Sequence, residues 1–308
     1  MYVYPQLSNM DLLVCRLLGP GLGNLLFTWA RAVVAAKRNG LKLIQATWPQ
    51  VKFGPLIRRE RDSRFYTGLF QPARDEVAGW EKLALLAGSR RVNEEDLEAT
   101  LASPRARTIP SVVVFRGMNG YFEQFLQDFA LVRQCLLEAS RPCHRPAPRK
   151  ARGAGIGLHV RLGDFIAVGS EAVASGVVGV RIPLNWYCRV ITCLRKSART
   201  TLPVRVYSDA PNDELRELLA LPGVERNVAR SALGDLWDLS MESILVTSGS
   251  TFSMWASYLG RAPVIWHQGQ LRQRLYTDHP EFEIEAPPTG EVAPAFREAI
   301  LRRIRQEL

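Results

Sequence analysis

The stretch Gly155-Ile156-Gly157-Leu158-His159-Val160-Arg161-Leu162-Gly163-Asp164-Phe165 begins as a short apolar run and ends in a cation and an anion three residues apart. A run of this length, opened by glycine and closed by Gly163, specifies a buried strand over 155–161. Successive side chains of a strand point to opposite faces, so His159 and Arg161 share a face at its C-terminal end. Downstream, helical and extended periods alternate. They give a helix near 184–196, a strand over 204–208, a helix over 212–221, a strand over 243–247, a helix over 251–259 and a strand over 263–266. An amphipathic helix over 294–306, carrying Arg302, Arg303 and Arg305, closes the series. Strands separated by helices specify a parallel sheet covered on both faces, hence an α/β domain.

Upstream, Leu12-Leu13-Val14-Cys15 lies in a strand-length stretch over 11–17 that meets the turn Gly19-Pro20-Gly21-Leu22-Gly23-Asn24. A helix follows over 25–38, apolar at Leu26, Trp29, Ala30 and Val33, with Gly40 just past its end, and then a short strand over 41–46. Ser111-Val112-Val113-Val114-Phe115 is a further strand, and 123–139 a helix with Phe125, Phe129, Val132 and Leu136 on one face. Residues 51–103, which include the basic run Arg58-Arg59-Glu60-Arg61, show no clean period. The segment 141–150, rich in Pro and charge, continues neither kind of element and is expected to be a linker. Two domains are therefore expected, 1–150 and 151–308, with the last helix able to pack back on the first.

Of the 308 residues, 47% are hydrophobic and 23% charged, which excludes global disorder. The most apolar window, 17–36, is interrupted by three glycines, a proline and Arg31, so no membrane span is expected; nor does the N-terminus resemble a secretory signal. The five cysteines form no C-x-x-C pair and are expected as reduced thiols, with no metal site at Cys143-His144. A cytoplasmic location follows as the expectation. The net charge is +10, and 34 of the 40 basic residues are Arg. Guanidinium forks suit phosphate or another anion; a solvated basic surface, or one touching an anionic inner membrane, fits the composition equally. No recognition helix, RNP-like sheet or zinc finger points to nucleic acid.

The motifs each carry two readings. The glycine turn at 19–24 precedes a helix whose free N–H groups suit an anion, but its spacing departs from G-x-G-x-x-G and Gln45-Ala46-Thr47 supplies no acidic residue for a dinucleotide ribose; a tight turn with nothing bound is the alternative. His159 with Arg161 and Asp164 is either a ligand-facing set at a strand end or a core histidine beside a local ion pair. Ser208-Asp209 ends another strand, where Asp209 accepts from a base or ribose or else caps a helix. Ser250, Thr251 and Phe252 open a helix that either binds phosphate or is simply capped. Three strand ends of one domain carrying such groups together favour a nucleotide or nucleotide sugar.

In this order the motifs resemble the alpha-1,2-fucosyltransferase family, glycosyltransferase family 11, within the fucosyltransferase superfamily that uses GDP-fucose. Pro20-Gly21-Leu22-Gly23-Asn24-Leu25 resembles its Gly-Gly-Leu-Gly-Asn-Gln turn, and Gly120-Tyr121-Phe122-Glu123 its Gly-Tyr-Phe-Gln element. Residues 159–165 are similar to its H-x-R-R-G-D-Y, with Leu162 in place of the second Arg, and 183–187 to its aromatic helix start. Residues 249–256 resemble N-S-S-F-S-W-W-G, with Gly249 for Asn and Met254 for Trp. The resemblance implies a GT-B-like α/β fold, two Rossmann-type domains facing a central cleft, and an inverting transfer of L-fucose from GDP-fucose to a sugar hydroxyl, with a galactoside O2 as acceptor in surface glycan synthesis. A fucosyltransferase of other linkage, with a peptide or chitooligosaccharide acceptor, and an inactive GDP-sugar-binding relative are the alternatives. It implies Arg161 and Asp164 as catalytic residues, Asp164 or Glu123 being candidate bases, and Gly21, Gly23, Asn24, His159, Ser208, Asp209, Ser250, Thr251 and Phe252 on the donor. Tyr121, Phe122 and Glu123 fall on the acceptor side, 51–103 is expected to set acceptor choice, and no metal or other cofactor is expected, because Asp-x-Asp is absent.

Overall fold

The computed structural model describes residues 1–57, 64–103, 110–146, 154–199, 201–228 and 231–307. The chain divides into two compact units, one holding Met1–Phe53 and Arg64–Arg145 and the other the remainder. The basic run at 58–61 and the end of the expected linker, 147–150, lie outside the described residues.

The first unit is built on four parallel strands, β1 (Tyr2–Pro5), β2 (Lys42–Leu43), β3 (Arg90–Asn93) and β4 (Ser111–Phe115), in the order β2-β1-β4-β3. The two-residue period sorts their side chains. Val3, Val113 and Phe115 meet Ala32 and Ala36 of α1 (Leu22–Arg38) on one face; Tyr4, Val112 and Val114 meet Ile44, Val77 and Leu86 of α2 (Gly79–Gly88) on the other. α3 (Phe129–Ala139) buries Val132, Leu136 and Ala139, but Phe129 stays exposed and the residues before it form turns and a 3-10 helix at Leu126–Asp128, so the helix expected from 123 starts six residues later.

Of the expected strand over 11–17 only Arg16–Leu17 is a strand, and residues 12–15 turn the chain. The Asp11 carboxylate accepts from the Leu13 N–H at 2.8 Å, Leu12 N–H donates to the Cys15 carbonyl, Leu13 is in the left-handed region (φ 69°), and Leu12 and Val14 are 55% and 67% exposed. The unit's first strand is instead β1. A two-stranded ladder, Arg16–Leu17 with Gln50–Val51, supports the glycine turn.

The second unit carries six parallel strands, β5 (Ile156–Val160), β6 (Val204–Ser208), β7 (Val224–Arg226), β8 (Ile244–Thr247), β9 (Val264–His267) and β10 (Glu283–Ala286), in the order β10-β9-β8-β5-β6-β7. The chain thus works outward from β5 on one side and then restarts beside β5 on the other, the order of a doubly wound nucleotide fold. β7, three residues long, and β10, at the sheet edge, have no apolar run in the sequence to announce them. Helices α4 (Leu184–Ala198), α5 (Ala232–Ser240), α6 (Thr251–Gly260) and α7 (Pro294–Glu307) complete it. Ile156, Leu158 and Val160 pack in one core with Val204, Val206, Trp186 and Val190, and α7 adds Phe296 and Ile300 to that core. The α/β class with two parallel sheets is as expected. Among the described residues no helix is long and apolar enough to cross a membrane, and the five cysteines are free.

Candidate functional site

Because every strand of the second sheet runs the same way, all the C-terminal ends lie along one edge. His159 stands level with Thr247 of β8 and Tyr207 of β6, and Val160 with Ser208. The segments leaving β5, β6 and β8 therefore emerge side by side, and the crevice between β5 and β8 is the topological switch point, where ligands of open α/β sheets sit.

Three serines surround His159. Its Nδ1 lies 2.7 Å from Ser253 Oγ, 3.3 Å from Ser248 Oγ and 3.4 Å from Ser250 Oγ, and the Phe252 ring stacks on the imidazole with centroids 5.0 Å apart. Tyr187, itself fully buried, donates its hydroxyl to the His159 carbonyl at 3.2 Å. Ser250 caps α6, its Oγ accepting from Ser253 N–H at 3.2 Å. The imidazole is buried and belongs to the framework of the β8–α6 turn.

Burial, reinforced by the Arg161 charge and only partly opposed by Asp209, holds the His159 imidazole well below its ordinary pKa of 6.5, so it is neutral. Above pH 6.5 neither the folded nor the unfolded chain carries this proton. Below it the unfolded chain takes it up first, so folded stability falls by about 1.4 kcal/mol per pH unit until the native pKa is reached. Urea midpoints at pH 7.5 and 5.5 should therefore diverge more for the wild type than for His159→Gln; equal divergence would mean that the imidazole titrates freely.

Arg161 leaves β5 between two carboxylates. Its guanidinium is paired with Asp164 and, through the other amino group, with Asp209 Oδ2 at 2.7 Å, while Asp209 Oδ1 accepts from Leu162 N–H at 3.0 Å. Asp209 is 8% exposed and Asp164 37%. The buried partner therefore orients the cation and the exposed one is the replaceable partner. Phe165 lies under the guanidinium, 5.6 Å from its ring centroid. Ser208 is occupied locally, its hydroxyl accepting from Ala210 N–H at 3.1 Å, and Arg226 donates to the Ser208 carbonyl. Thr251 and Phe252 form the half-buried first turn of α6.

The candidates of the first unit gather separately around α1. Gly21 is the N-cap of α1, Gly23 is buried in its first turn and Asn24 is half-buried there. The Leu22 N–H donates to the Tyr66 hydroxyl at 2.8 Å, so this end of the helix spends one of its amides within the protein. Tyr121, in the left-handed region at φ 50°, sets its ring edge-on to Phe27 at 5.4 Å, and Glu123 is exposed. The Phe122 ring is fully buried between Phe27 and Phe125, at 4.9 and 5.4 Å.

Ser248 and Ser253, from the junction between β8 and α6, join Ser250 around the imidazole. Ser253 lies in the first turn of α6, three residues after its cap Ser250, within the 249–256 stretch that resembles the family motif. Among the described residues no group of three or more His, Cys, Asp or Glu side chains is arranged to hold a metal ion.

No family model matches the chain, and no curated protein matches it. Among solved structures it is similar to the fucosyltransferase NodZ from Bradyrhizobium, at 15% identity and a TM-score of 0.48 over 85% of this chain and 94% of that one. A mutant of FUT1 from Arabidopsis thaliana in complex with GDP gives 14% and 0.45, over 85% of this chain and 69% of that one. The E. coli heptosyltransferase WaaC with ADP gives 14% and 0.43, over 100% and 99%.

Proposed function

We propose that this protein is a glycosyltransferase that moves L-fucose from GDP-fucose to a sugar hydroxyl, with a galactoside O2 as the acceptor position. One observation carries the reading: Arg161 and the Ser250-capped start of α6 follow neighbouring strands, β5 and β8, at the switch point of a doubly wound sheet, an arrangement suited to a nucleotide diphosphate. The ordered motifs from the glycine turn to Trp255 support fucose as the sugar, since they resemble a family that uses GDP-fucose.

In the proposed reaction the acceptor oxygen attacks C1 of GDP-β-L-fucose from the face opposite the diphosphate. The C1–O bond to the β-phosphate breaks with its electron pair going to that oxygen, the acceptor proton leaves to a base, and the α-fucoside forms. Arg161 faces the growing negative charge. Binding the diphosphate exchanges the exposed Asp164 for a phosphate oxygen, while Asp209 keeps its hold on the guanidinium. In this scheme His159 and Asp209 position the donor turn and the cation instead of touching guanine or ribose.

Calorimetry with GDP, GDP-fucose and GDP-mannose tests the reading. GDP and GDP-fucose should bind and GDP-mannose more weakly; no binding of any of the three would refute it. Because Arg161 supplies the phosphate countercharge, EDTA should leave transfer unchanged, and a rate restored only by Mn²⁺ or Mg²⁺ would show that a cation shares that task.

A further inference from the structure

We infer that Gln270 is a positioning residue that ties the loop of residues 166–180 to the turn at Gly249, and thereby couples this loop to the nucleotide site. The coupling rests on the function proposed above; the tie does not. Gln270 is buried, and its amide nitrogen donates to the carbonyls of Val173 at 2.7 Å and Val177 at 3.3 Å. Its amide oxygen accepts from Arg272 at 3.0 Å, and Arg272 in turn donates to the Gly176 carbonyl at 2.8 Å. On its other side the same amide occupies the space a side chain at 249 would need. A Cβ there would overlap the Gln270 amide oxygen and lie 3.1 and 3.2 Å from Cδ and Cβ.

The backbone is fitted to this clasp. Gly269, at φ 78°, brings its α-carbon so near the loop that an added Cβ would lie 2.7 Å from the carbonyl carbon of Ala174 and 2.9 Å from the Gly176 nitrogen. The base of the loop is closed as well, by Ile166 N–H to the Gly179 carbonyl at 3.0 Å and Arg181 N–H to the Ile166 carbonyl at 2.9 Å. The loop is also anchored in the core of its unit, where Val173 and Val180 pack with Leu158 and Val160. It starts two residues after Asp164 and presents Ile166, Val177 and Val178 to solvent. Gly249 lies between Ser248 and Ser250, both of which contact His159, so a displaced amide disturbs the turn that the imidazole organises.

The test is hydrogen exchange on the whole protein, first without ligand, in Gln270→Met, Gln270→Ala and Gly249→Ala. Met fills the volume but donates no hydrogen bond, so it separates the clasp from packing. Amides of 170–180 should exchange about tenfold faster in Gln270→Met and Gly249→Ala, with β5, β6 and β8 unchanged, and GDP affinity should fall about tenfold. Wild-type exchange of 170–180 in Gln270→Met overturns the tie. Faster exchange with unaltered GDP affinity overturns the coupling. A wild type that binds no GDP overturns the functional reading and the coupling with it, and the ligand-free exchange still decides the tie.

Discussion

Arg161→Ala should lower fucosyl transfer by about 10²–10³-fold, the usual cost of removing one preorganised donor from a developing oxyanion. The loss should appear in kcat and, because the donor diphosphate meets the same guanidinium, in GDP affinity too. The fold should survive at reduced stability: the side chain lies at the strand edge and its removal opens no core cavity, but it leaves the buried Asp209 carboxylate without its cation and held only by the Leu162 N–H. Arg161→Lys should recover little, because a point charge cannot hold Asp209 with one arm and a phosphate with the other. Steady-state transfer assays with melting curves on the same samples decide it. Turnover within twofold of wild type in Arg161→Ala would remove Arg161 from the phosphate role.

Gly260→Ala is expected to be the most destabilising methyl that the second unit can receive. The end of α6 rests on the end of α5 so closely that a Cβ at 260 would overlap the Ser240 carbonyl oxygen and lie 2.8 and 3.1 Å from its carbon and α-carbon. Those atoms are backbone, so relief requires moving a helix. The cost belongs at the top of the overpacking range, about 3 kcal/mol, or roughly 6–12 °C in Tm for a unit of this size. Gly88→Ala, where the added methyl meets nothing within 4 Å, is the control. A Gly260→Ala Tm within 2 °C of wild type would show that the two helices have slack.

What could be read from the sequence follows from how local its cause is. Ser111-Val112-Val113-Val114-Phe115 announces a strand because both faces are buried, and the structure has β4 over the same five residues. β1 escaped because Tyr2-Val3-Tyr4-Pro5 is four residues ending in proline, with no apolar run; only pairing with β2 and β4 makes it a strand. Leu12-Leu13-Val14-Cys15 failed in the opposite sense, a strand-like composition overruled by one Asp11 carboxylate. In the site, Arg161, Asp164 and Asp209 were legible as polar residues placed where apolar runs stop. Their pairing was only partly so: Asp164 is an i,i+3 neighbour, whereas Asp209 arrives from another strand. Ser253 falls in a legible motif, but its bond to His159, 94 residues away, has no local signal, and neither has Gln270, whose partner Val173 lies 97 residues away.

The strand order has a consequence for how the molecule is made. β5, the first strand of its unit to be synthesised, is central in the finished sheet, yet its β8 neighbour emerges from the ribosome more than eighty residues later. During that interval β5 can pair with β6 while its other edge, flanked by Ile156, Leu158 and Val160, stays open to any extended segment. Contacts of such sequence separation form slowly, and unpaired edges recruit other chains. Soluble yield should therefore depend on translation speed through 161–243 and on chaperone capture of the nascent unit. Truncations ending before β8 are expected to aggregate even though every residue of β5 and β6 is present.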